Sequence, residues 1–319
     1  MTRPGRSVLV VLNPVSGTRS AEDKRSLVRN AVGEVGASCH LVETEPDADP
    51  ETERAHWAEA GARCDAILAA GGDGTLLAVV EAVLRHGLDV PVGHVPFGTA
   101  NVAARSFGLP ADPADALAQM LDRRDARAID VGYAPSLDRH FLLMAAAGFP
   151  AEIVRDAPRE AKDRLGPLAY AWAGVRNLGH FFRRQHIAAR GDHGTGFRVP
   201  STAVFVANVG SIREFGLEIG RLIDPRDGKF TTVALRNRSV GDLVAASGAL
   251  ATGSEKDSAA TEVLESANVE LVFSRALEVQ LDGESVGRHR RLALETKARA
   301  CRLLVGEEFD EVAPTQDAA

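Results

Sequence analysis

The sequence lacks the common signatures of nucleotide, metal and acyl chemistry. It contains no Gly-x-x-x-x-Gly-Lys-Ser/Thr, which excludes a P-loop NTPase, and no nucleophile elbow, zinc helix or paired Cys-x-x-Cys. Its three cysteines, Cys39, Cys64 and Cys301, have unrelated spacings, which favours a reducing cytoplasm over a disulfide framework or a zinc site. There is no uninterrupted apolar run long enough to span a membrane, no apolar signal segment after the first arginines and no basic block, and the net charge is −7. A cytoplasmic protein without a membrane span or a nucleic-acid partner is therefore expected.

One glycine-rich segment is the most informative feature that is present. Gly71-Gly72-Asp73-Gly74-Thr75 stands between Ala66–Ala70, predicted as a buried strand, and Leu76–Leu84, predicted as a helix. Glycines let the backbone approach a ligand closely, and the free amides that begin a helix favour an anion such as phosphate. A carboxylate there repels phosphate unless a divalent cation or a substrate hydroxyl stands between them, so Asp73 is a candidate for either contact. The alternative is a tight turn in which Asp73 only caps the helix.

Two domains are expected from the length of 319 residues and from a change of pattern near residue 130. Residues 1–130 alternate apolar strands with helices, which predicts an α/β domain with a parallel sheet. Residues 131–299 are rich in strands joined by short connections, which predicts an antiparallel, sandwich-like second domain. The predicted strands are Val8–Leu12, Ser38–Val42, Ala66–Ala70 and Pro91–Val95, then Ala128–Ala134, His140–Ala147, Ala203–Val209, Thr231–Leu235, Val269–Phe273 and Leu277–Leu281. The predicted helices are Glu22–Val35 with Leu27, Ala31 and Val35 on its apolar face, Glu51–Ala62, Leu76–Leu84, Asn101–Phe107, Pro113–Arg123, Leu165–Phe182 and Val240–Ala251.

Four loops of the first domain are predicted to converge on one rim, because ligands of parallel sheets bind beyond the carboxyl ends of the strands. Asn13, Thr44, Gly71–Thr75 and Gly98-Thr99 all follow such ends. Ser16, Gly17 and Asn13 can donate to phosphate oxygens without bringing a charge, although an ordinary Asn-Pro turn explains them too. Gly98-Thr99-Ala100-Asn101 opens another short helix and offers further amide donors, whereas Thr44 can equally cap the turn that follows it.

Four motifs occur in a fixed order: Asn13–Gly17, Gly71–Thr75, Pro96–Asn101 and Asp282–Glu284. Together they resemble the catalytic domain shared by bacterial diacylglycerol kinases, sphingosine kinases and related lipid kinases. The resemblance runs from about Val8 to Val305. It implies an active site in the cleft between the two domains, and an end of the chain, about 300–312, that rejoins the first domain. It also implies ATP and Mg²⁺ as cofactors, a lipid hydroxyl as phosphate acceptor, and a role in lipid metabolism such as phospholipid biosynthesis.

The resemblance also assigns residues. It implies nucleotide contacts at Asn13, Ser16, Gly17, Thr44, Gly71, Gly72, Gly74, Thr75, Gly98, Thr99 and Asn101. Asp73 and Glu284 are the catalytic candidates, with Asp73 holding Mg²⁺ through water, and which of the two is the general base stays open. In isolation, Asp282-Gly283 is a hairpin signal and Glu284 would be its solvated flank. Where the family commonly has Asp-Asp-Gly-x-x-Asp, this chain has Arg226–Thr231, so Asp227 is either a metal ligand or a turn residue.

The favoured interpretation is an ATP-dependent lipid kinase whose substrate lies at a membrane surface, reached by transient peripheral contact with the inner face. The apolar stretch Leu165–Val175 and the following Phe181–Arg184 are a candidate membrane contact or a core helix. One alternative is a non-catalytic nucleotide- or lipid-binding protein of the same fold, suggested by the altered Arg226–Thr231 segment. The other is a kinase of a soluble hydroxyl compound such as NAD. A homodimer is a further expectation.

Overall fold

The computed structural model describes residues 7–123, 125–149, 151–152, 185–209, 223–236 and 261–312. The chain divides into two compact units, Met1–Ile129 with Arg299–Glu311 and Asp130–Ala298 with Val312–Ala319. The predicted helices Leu165–Phe182 and Val240–Ala251, and the candidate membrane segment that continues to Arg184, lie outside the described residues.

The first unit contains a parallel sheet in the order β4-β3-β1-β2, as its apolar strands predict. The end of a later strand, β14 (Glu284–Leu304), adds to this sheet, because its Leu303 pairs in parallel with Val92 of β4. β3 is buried along its whole length, because helices cover both faces of such a sheet. The four strands are β1 (Ser7–Leu12), β2 (Ser38–Glu43), β3 (Ala66–Gly71) and β4 (Val92–Pro96).

Six described helices accompany this sheet: α1 (Ala21–Glu34), α2 (Pro50–Gly61), α3 (Asp73–Arg85), α4 (Val102–Ser106), α5 (Pro113–Arg123) and α6 (Phe309–Val312). Ser20 and Asp49 cap α1 and α2, each accepting a bond from the amide three residues later, which supplies a partner that the helix itself cannot. The fully buried residues of α1 are Lys24, Val28 and Val32. The predicted stripe Leu27, Ala31 and Val35 is only partly buried against the same core, because the centre of the buried face lies one residue later, at Val28 and Val32.

The second unit is an antiparallel sheet in the order β12-β11-β10-β7-β13-β14, with β8 pairing both β13 and β9 and β5 pairing β6. One face of β8 and of the first part of β13 is packed into a core with Phe141, Phe230 and Leu292, and the other face is partly to fully exposed. The end of β13, Leu277–Leu281, is buried on both faces. Its described strands are β5 (Ala126–Ala134), β6 (Arg139–Phe141), β7 (Met144–Gly148), β8 (Gln185–Arg190), β9 (Gly196–Ser201), β10 (Ala203–Ala207), β11 (Phe230–Leu235), β12 (Thr261–Ser266), β13 (Asn268–Leu281) and β14 (Glu284–Leu304). The predicted fold class, a parallel α/β domain followed by an antiparallel β-rich domain, is confirmed.

Several strands of the second unit differ from the prediction. His140–Ala147 is two strands, β6 and β7, and the segments Val269–Phe273 and Leu277–Leu281 are one strand, β13, with an irregularity between them. Four strands, β8, β9, β12 and β14, were not predicted. β14 extends over 21 residues but is rich in charged side chains, because much of one face is solvated.

Candidate functional site

The glycine-rich loop joins β3 to α3 at the carboxyl edge of the parallel sheet. Gly72 is the residue before α3 and has no side chain to bond the free amides of the first turn. Those amides therefore point out of the helix start without a side-chain cap, as an anion site requires. Gly72 and Asp73 are half-buried, Gly74 is exposed and Thr75 is buried.

Two neighbouring loops pack directly against this one. The amides of Phe97 and Gly98 both donate to the Gly71 carbonyl, at 2.9 and 3.2 Å. A Cβ on Gly98 would lie 2.6 Å from the Gly72 Cα, so the two loops touch only because Gly98 has none. Gly17 has a φ of +60°, and a Cβ there would lie 1.9 Å from the Phe97 carbonyl oxygen. The loops after β1, β3 and β4 thus form one continuous surface.

The polar side chains of these loops are largely used to shape them. Asn13 Nδ2 donates to Thr75 Oγ1 at 3.3 Å, and Asn13 Oδ1 accepts from the Val15 amide at 3.1 Å. The Ser16 hydroxyl donates to the Asn13 carbonyl at 3.0 Å. Asn13 and Ser16 were predicted as phosphate donors. The hydrogen bonds of these two side chains hold the backbone of the loop in place, and their phosphate contacts stay predictions.

Asp73 has partners that the sequence could not show. Its two carboxylate oxygens accept from the backbone amides of Val102 and Ala103, at 3.0 and 2.9 Å, so Asp73 caps the start of α4 and not its own helix. Each oxygen keeps a further lone pair for water or a cation. Buried His94 lies close enough to feel the Asp73 charge. Burial lowers the pKa of His94, and the Asp73 charge and the Gly71 carbonyl oppose that shift.

Asn101 is the residue before α4, and its backbone has the left-handed conformation, with a φ of 47°. Its Nδ2 donates to the carbonyls of Pro96 and Gly98 at 3.1 and 2.7 Å, which fixes the orientation of the amide. Its Oδ1 is buried and has no partner within the described part of the chain. A buried acceptor without a donor fits a bound water or ligand hydroxyl. With the Asp73 carboxylate nearby in the same loop system, the oxygen set suits Mg²⁺, which binds through one or two carboxylates, waters and substrate phosphates.

The structure says less about two other predicted nucleotide contacts, Thr44 and Thr99. Thr44 follows β2, and its amide donates to the Leu12 carbonyl at 2.9 Å, so it lies beside the end of β1. Thr99 is exposed in the loop between β4 and α4. Both therefore lie at the predicted strand ends, and their nucleotide contacts stay predictions.

Asp282 and Gly283 form the turn between β13 and β14. Both have positive φ, 45° and 83°, and Leu281 pairs with Glu284 across the turn. The Asp282 carboxylate accepts three backbone amides, from Leu142, Leu143 and Met144, at 2.6 to 2.9 Å. Asp282 is therefore an anchor for the segment before β7, a role that the hairpin signal did not reveal.

Glu284 is the first residue of β14, and its side chain is 67% exposed. Its carboxylate lies 3.7 Å from a guanidinium nitrogen of Arg139, which makes a loose surface ion pair. This geometry agrees with the solvated flank of a hairpin. An exposed carboxylate with one weak partner is also free to accept a proton, so its role as a base stays a prediction.

The segment that replaces the acidic family pattern is a turn. The Asp227 carboxylate accepts from the Lys229 amide at 2.8 Å, and the Asp130 carboxylate accepts from the Gly228 amide at 2.6 Å. Desolvation raises the pKa of Asp227, and the Asp130 and Asp224 charges add to that shift while the Lys229 amide opposes it. Asp227 is a turn residue, with a neighbour, Asp130, that sequence reasoning missed.

Arg226 supplies the positive charge at this turn. Its Nε donates to Asp224 Oδ1 at 2.6 Å, and both side chains are largely buried. Among the described residues no cluster of three or more acidic, histidine or cysteine side chains could hold a metal ion. The residues at this turn therefore do not fit a structural Mg²⁺ site, because an arginine already neutralises one of the carboxylates.

Lys24 is the main site residue that sequence reasoning missed. It is fully buried on α1, and its Nζ lies 2.9 Å from the Pro14 carbonyl oxygen in the loop after β1. The available signal was a lysine in register with Val28 and Val32, the buried residues of the same helix.

Within the described ranges, no helix is both long enough and apolar enough to cross a membrane. The described structure thus combines glycine-lined loops at the carboxyl edge of a parallel sheet with an antiparallel, β-rich second unit. Two family models cover the chain: the diacylglycerol kinase catalytic domain over residues 7–134, and the YegS C-terminal NAD kinase beta sandwich-like domain over residues 144–305. The chain belongs to the diacylglycerol kinase catalytic domain family, which also includes YegS-like lipid kinases.

Relatives agree with this assignment. A Pseudomonas aeruginosa protein described as "Probable lipid kinase YegS-like" is 31% identical over 260 residues, which are 79% of this chain and 80% of that protein. The match to a Synechocystis protein spans only 39% of the relative's length. A diacylglycerol kinase structure from Bacillus anthracis superposes with a TM-score of 0.71 over 97% of this chain and 100% of that one, at 15% identity. An ATP-bound NAD kinase from Archaeoglobus fulgidus gives a lower TM-score, 0.53, over 95% of each chain at 15% identity. At such low identity both superpositions show the fold alone.

Proposed function

We propose that this protein transfers the γ-phosphate of ATP to the hydroxyl group of a lipid of the diacylglycerol or sphingosine type. The observation that carries the proposal is the contact between three loops at the start of α3. Gly17 and Gly98 let these loops pack against one another, and Gly72 leaves the amides of the first turn of α3 open to a triphosphate. Family membership favours a lipid over NAD as the acceptor, since the YegS-like relative aligns over most of both chains. An intact Asp73 and Glu284 disfavour the non-catalytic alternative.

The chemistry is a direct phosphoryl transfer. The acceptor oxygen forms a bond to the γ-phosphorus, the bond between that phosphorus and the leaving ADP oxygen breaks, and the hydroxyl proton passes to a carboxylate. Mg²⁺, when bound, neutralises the developing charge on the phosphates. Asp73 is suited to holding a metal-bound water, because two amides already fix its position. Glu284 is then the candidate base.

A substitution of Gly72 tests the nucleotide site at a position whose backbone tolerates a side chain. Its φ is −91°, which any residue adopts, and an added Cβ would lie 3.5 Å from the Gly98 Cα, an ordinary contact. We expect Gly72→Val to fold and to weaken ATP binding by at least about tenfold, because the new side chain occupies the phosphate path. Calorimetric titration with ATP and Mg²⁺ measures the change.

The matched control is Gly33→Ala, on α1, where an added Cβ meets nothing within 4 Å. It should bind ATP as the wild type does. If Gly72→Val binds ATP with unchanged affinity, the phosphates lie elsewhere.

A peripheral membrane contact is the second part of the proposal. Arg198, Ala188, Val272 and Arg291 are paired side by side across β9, β8, β13 and β14, so they share one face of the sheet. The alternate residues of these strands are buried in the core, whereas on this face Arg198 and Arg291 are exposed and Ala188 and Val272 are partly exposed. Arg190 is also on it. Glu270 forms ion pairs with Arg190 and Arg291, both at 3.1 Å. The three arginines outnumber this glutamate, although the net charge of the chain is −7.

An anionic phospholipid surface suits this arginine face. Full-length protein should sediment with vesicles of phosphatidylcholine and phosphatidylglycerol at low salt, and not with phosphatidylcholine alone. The double variant Arg198→Glu, Arg291→Glu should lose that binding, whereas Arg123→Glu on the first unit should keep it. Equal sedimentation of both variants would move the membrane contact to another surface.

A further inference from the structure

Lys24 is a charged side chain placed where the fold has no solvent. Its Nζ lies 2.9 Å from the Pro14 carbonyl oxygen, 3.3 Å from that of Asn13 and 2.5 Å from that of Ser16, with the Ser16 hydroxyl at 3.4 Å. The residue is fully buried. All hydrogen-bond partners of Nζ in the described part of the chain are thus neutral oxygens of one loop, the loop after β1.

Among the described residues, the charge on this ammonium has no counterion. Desolvation by burial lowers the pKa of Lys24, and no neighbouring carboxylate opposes the shift. A buried cation whose partners are carbonyl dipoles alone is costly, and an anion bound on the far side of the loop would reduce that cost. The ring of Phe97, from the loop after β4, lies with its centre 5.8 Å from Nζ.

The three carbonyls that bind Lys24 decide where the loop amides point. In a trans peptide unit the carbonyl oxygen and the following N–H point in opposite directions. Because the Ser16 carbonyl is directed at Nζ, the Gly17 N–H is directed away from it. Gly17 is also the residue that approaches Phe97 without a Cβ. Lys24 therefore fixes the direction of the Gly17 N–H, a predicted phosphate donor, at the point where two loops meet.

We propose that Lys24 is a positioning residue for the triphosphate, which holds the Asn13–Gly17 loop in its donor conformation from behind and contributes a buried positive charge under the phosphates. It does not touch the nucleotide. The proposal rests on the ATP site proposed above and adds a residue to it. The affinity that depends on Lys24 should grow with the number of phosphates on the ligand.

The test compares Lys24→Met, which keeps the unbranched apolar stem and removes only the charged ammonium, with Arg25→Met. Arg25 is the next residue of α1 and pairs with Glu43 at the surface, so its replacement removes one cation without touching the loop. Calorimetric titrations of the full-length proteins with ATP and with AMP are made well below the melting temperature, after circular dichroism has verified the fold. Lys24→Met should weaken ATP binding by about tenfold or more and AMP binding by no more than about twofold, and Arg25→Met should change neither.

Two further measurements distinguish a positioning role of Lys24 from a role in stability alone. Lys24→Arg keeps the charge and should recover much of the ATP affinity; it also serves if Lys24→Met does not fold. Because its pKa lies below 10.5, Lys24 should lose its proton as the pH rises towards that value, and wild-type ATP affinity should fall there more than that of Lys24→Met. Equal losses for ATP and AMP, or a pH profile shared by both proteins, would overturn the proposal. Failure of the wild type to bind ATP would instead overturn the proposed function.

Discussion

Asp73→Asn should abolish phosphoryl transfer and leave a folded protein. In the proposed mechanism, the substitution removes the charge that would position Mg²⁺ or the acceptor hydroxyl at the start of α3. It also places an amide NH₂ against the N–H group of Val102 or Ala103, which now donate to the carboxylate. A donor facing a donor costs about 1–3 kcal/mol, so the melting temperature should fall while the far-ultraviolet circular dichroism spectrum is retained.

An aspartate of the second unit separates the two effects of this change. One carboxylate oxygen of Asp192 accepts the backbone amides of Ala267 and Asn268, at 3.0 and 3.1 Å, and the other accepts the Asn268 side-chain amide at 2.9 Å. Asp192→Asn also places an amide NH₂ against a donor, so it should lower stability by a similar mechanism and keep full turnover. Near-wild-type turnover in Asp73→Asn would remove Asp73 from the chemistry and leave it as the cap of α4.

Glu284→Gln is the change with the second largest expected effect. If Glu284 takes the proton of the acceptor hydroxyl, kcat should fall by about 10²–10⁴-fold, which is the usual contribution of a positioned general base. ATP affinity should change little, since the glycine-lined loops belong to the first unit. The rate of phosphate transfer to a diacylglycerol or sphingoid substrate, measured beside calorimetric ATP binding, gives both values.

The matched control lies on the same strand. Glu295 is a surface carboxylate of β14 that pairs with Lys297 at 2.7 Å, and Glu295→Gln should leave kcat unchanged. An unaltered kcat in Glu284→Gln would identify Glu284 as the solvated flank of its hairpin and leave Asp73 as the candidate base.

The first unit was predictable because its strands are apolar on both faces. Residues that follow the carboxyl ends of parallel strands share an edge of the sheet, and this rule alone brings Asn13, Thr75 and Gly98 into one loop system. What could not be predicted are the partners of their side chains. The amides that Asp73 binds are 29 and 30 residues away in sequence, and no local pattern encodes such a contact.

Lys24 and β14 were missed for a related reason. Periodicity places apolar residues inside and charged residues outside, so a buried lysine on α1 contradicts the rule that defines the face. β14 carries Arg288, Arg290 and Arg291, a charged run typical of a solvated loop, although Arg288 and Arg291 both pair with β13 on either side of an irregularity in the register. The hairpin turn at Asp282-Gly283 was predictable, because two residues with positive φ favour Asp-Gly, but the three amides held by Asp282 were not.

The most direct test of lipid kinase activity is transfer of label from γ-radiolabelled ATP, with Mg²⁺, into a lipid extract by the purified full-length protein. If the protein is a lipid kinase, we expect label in a chloroform-soluble phospholipid product, and none when Asp73→Asn replaces the wild type. Label recovered only in water-soluble NADP, or no transfer from a wild type that binds ATP, would contradict the assignment.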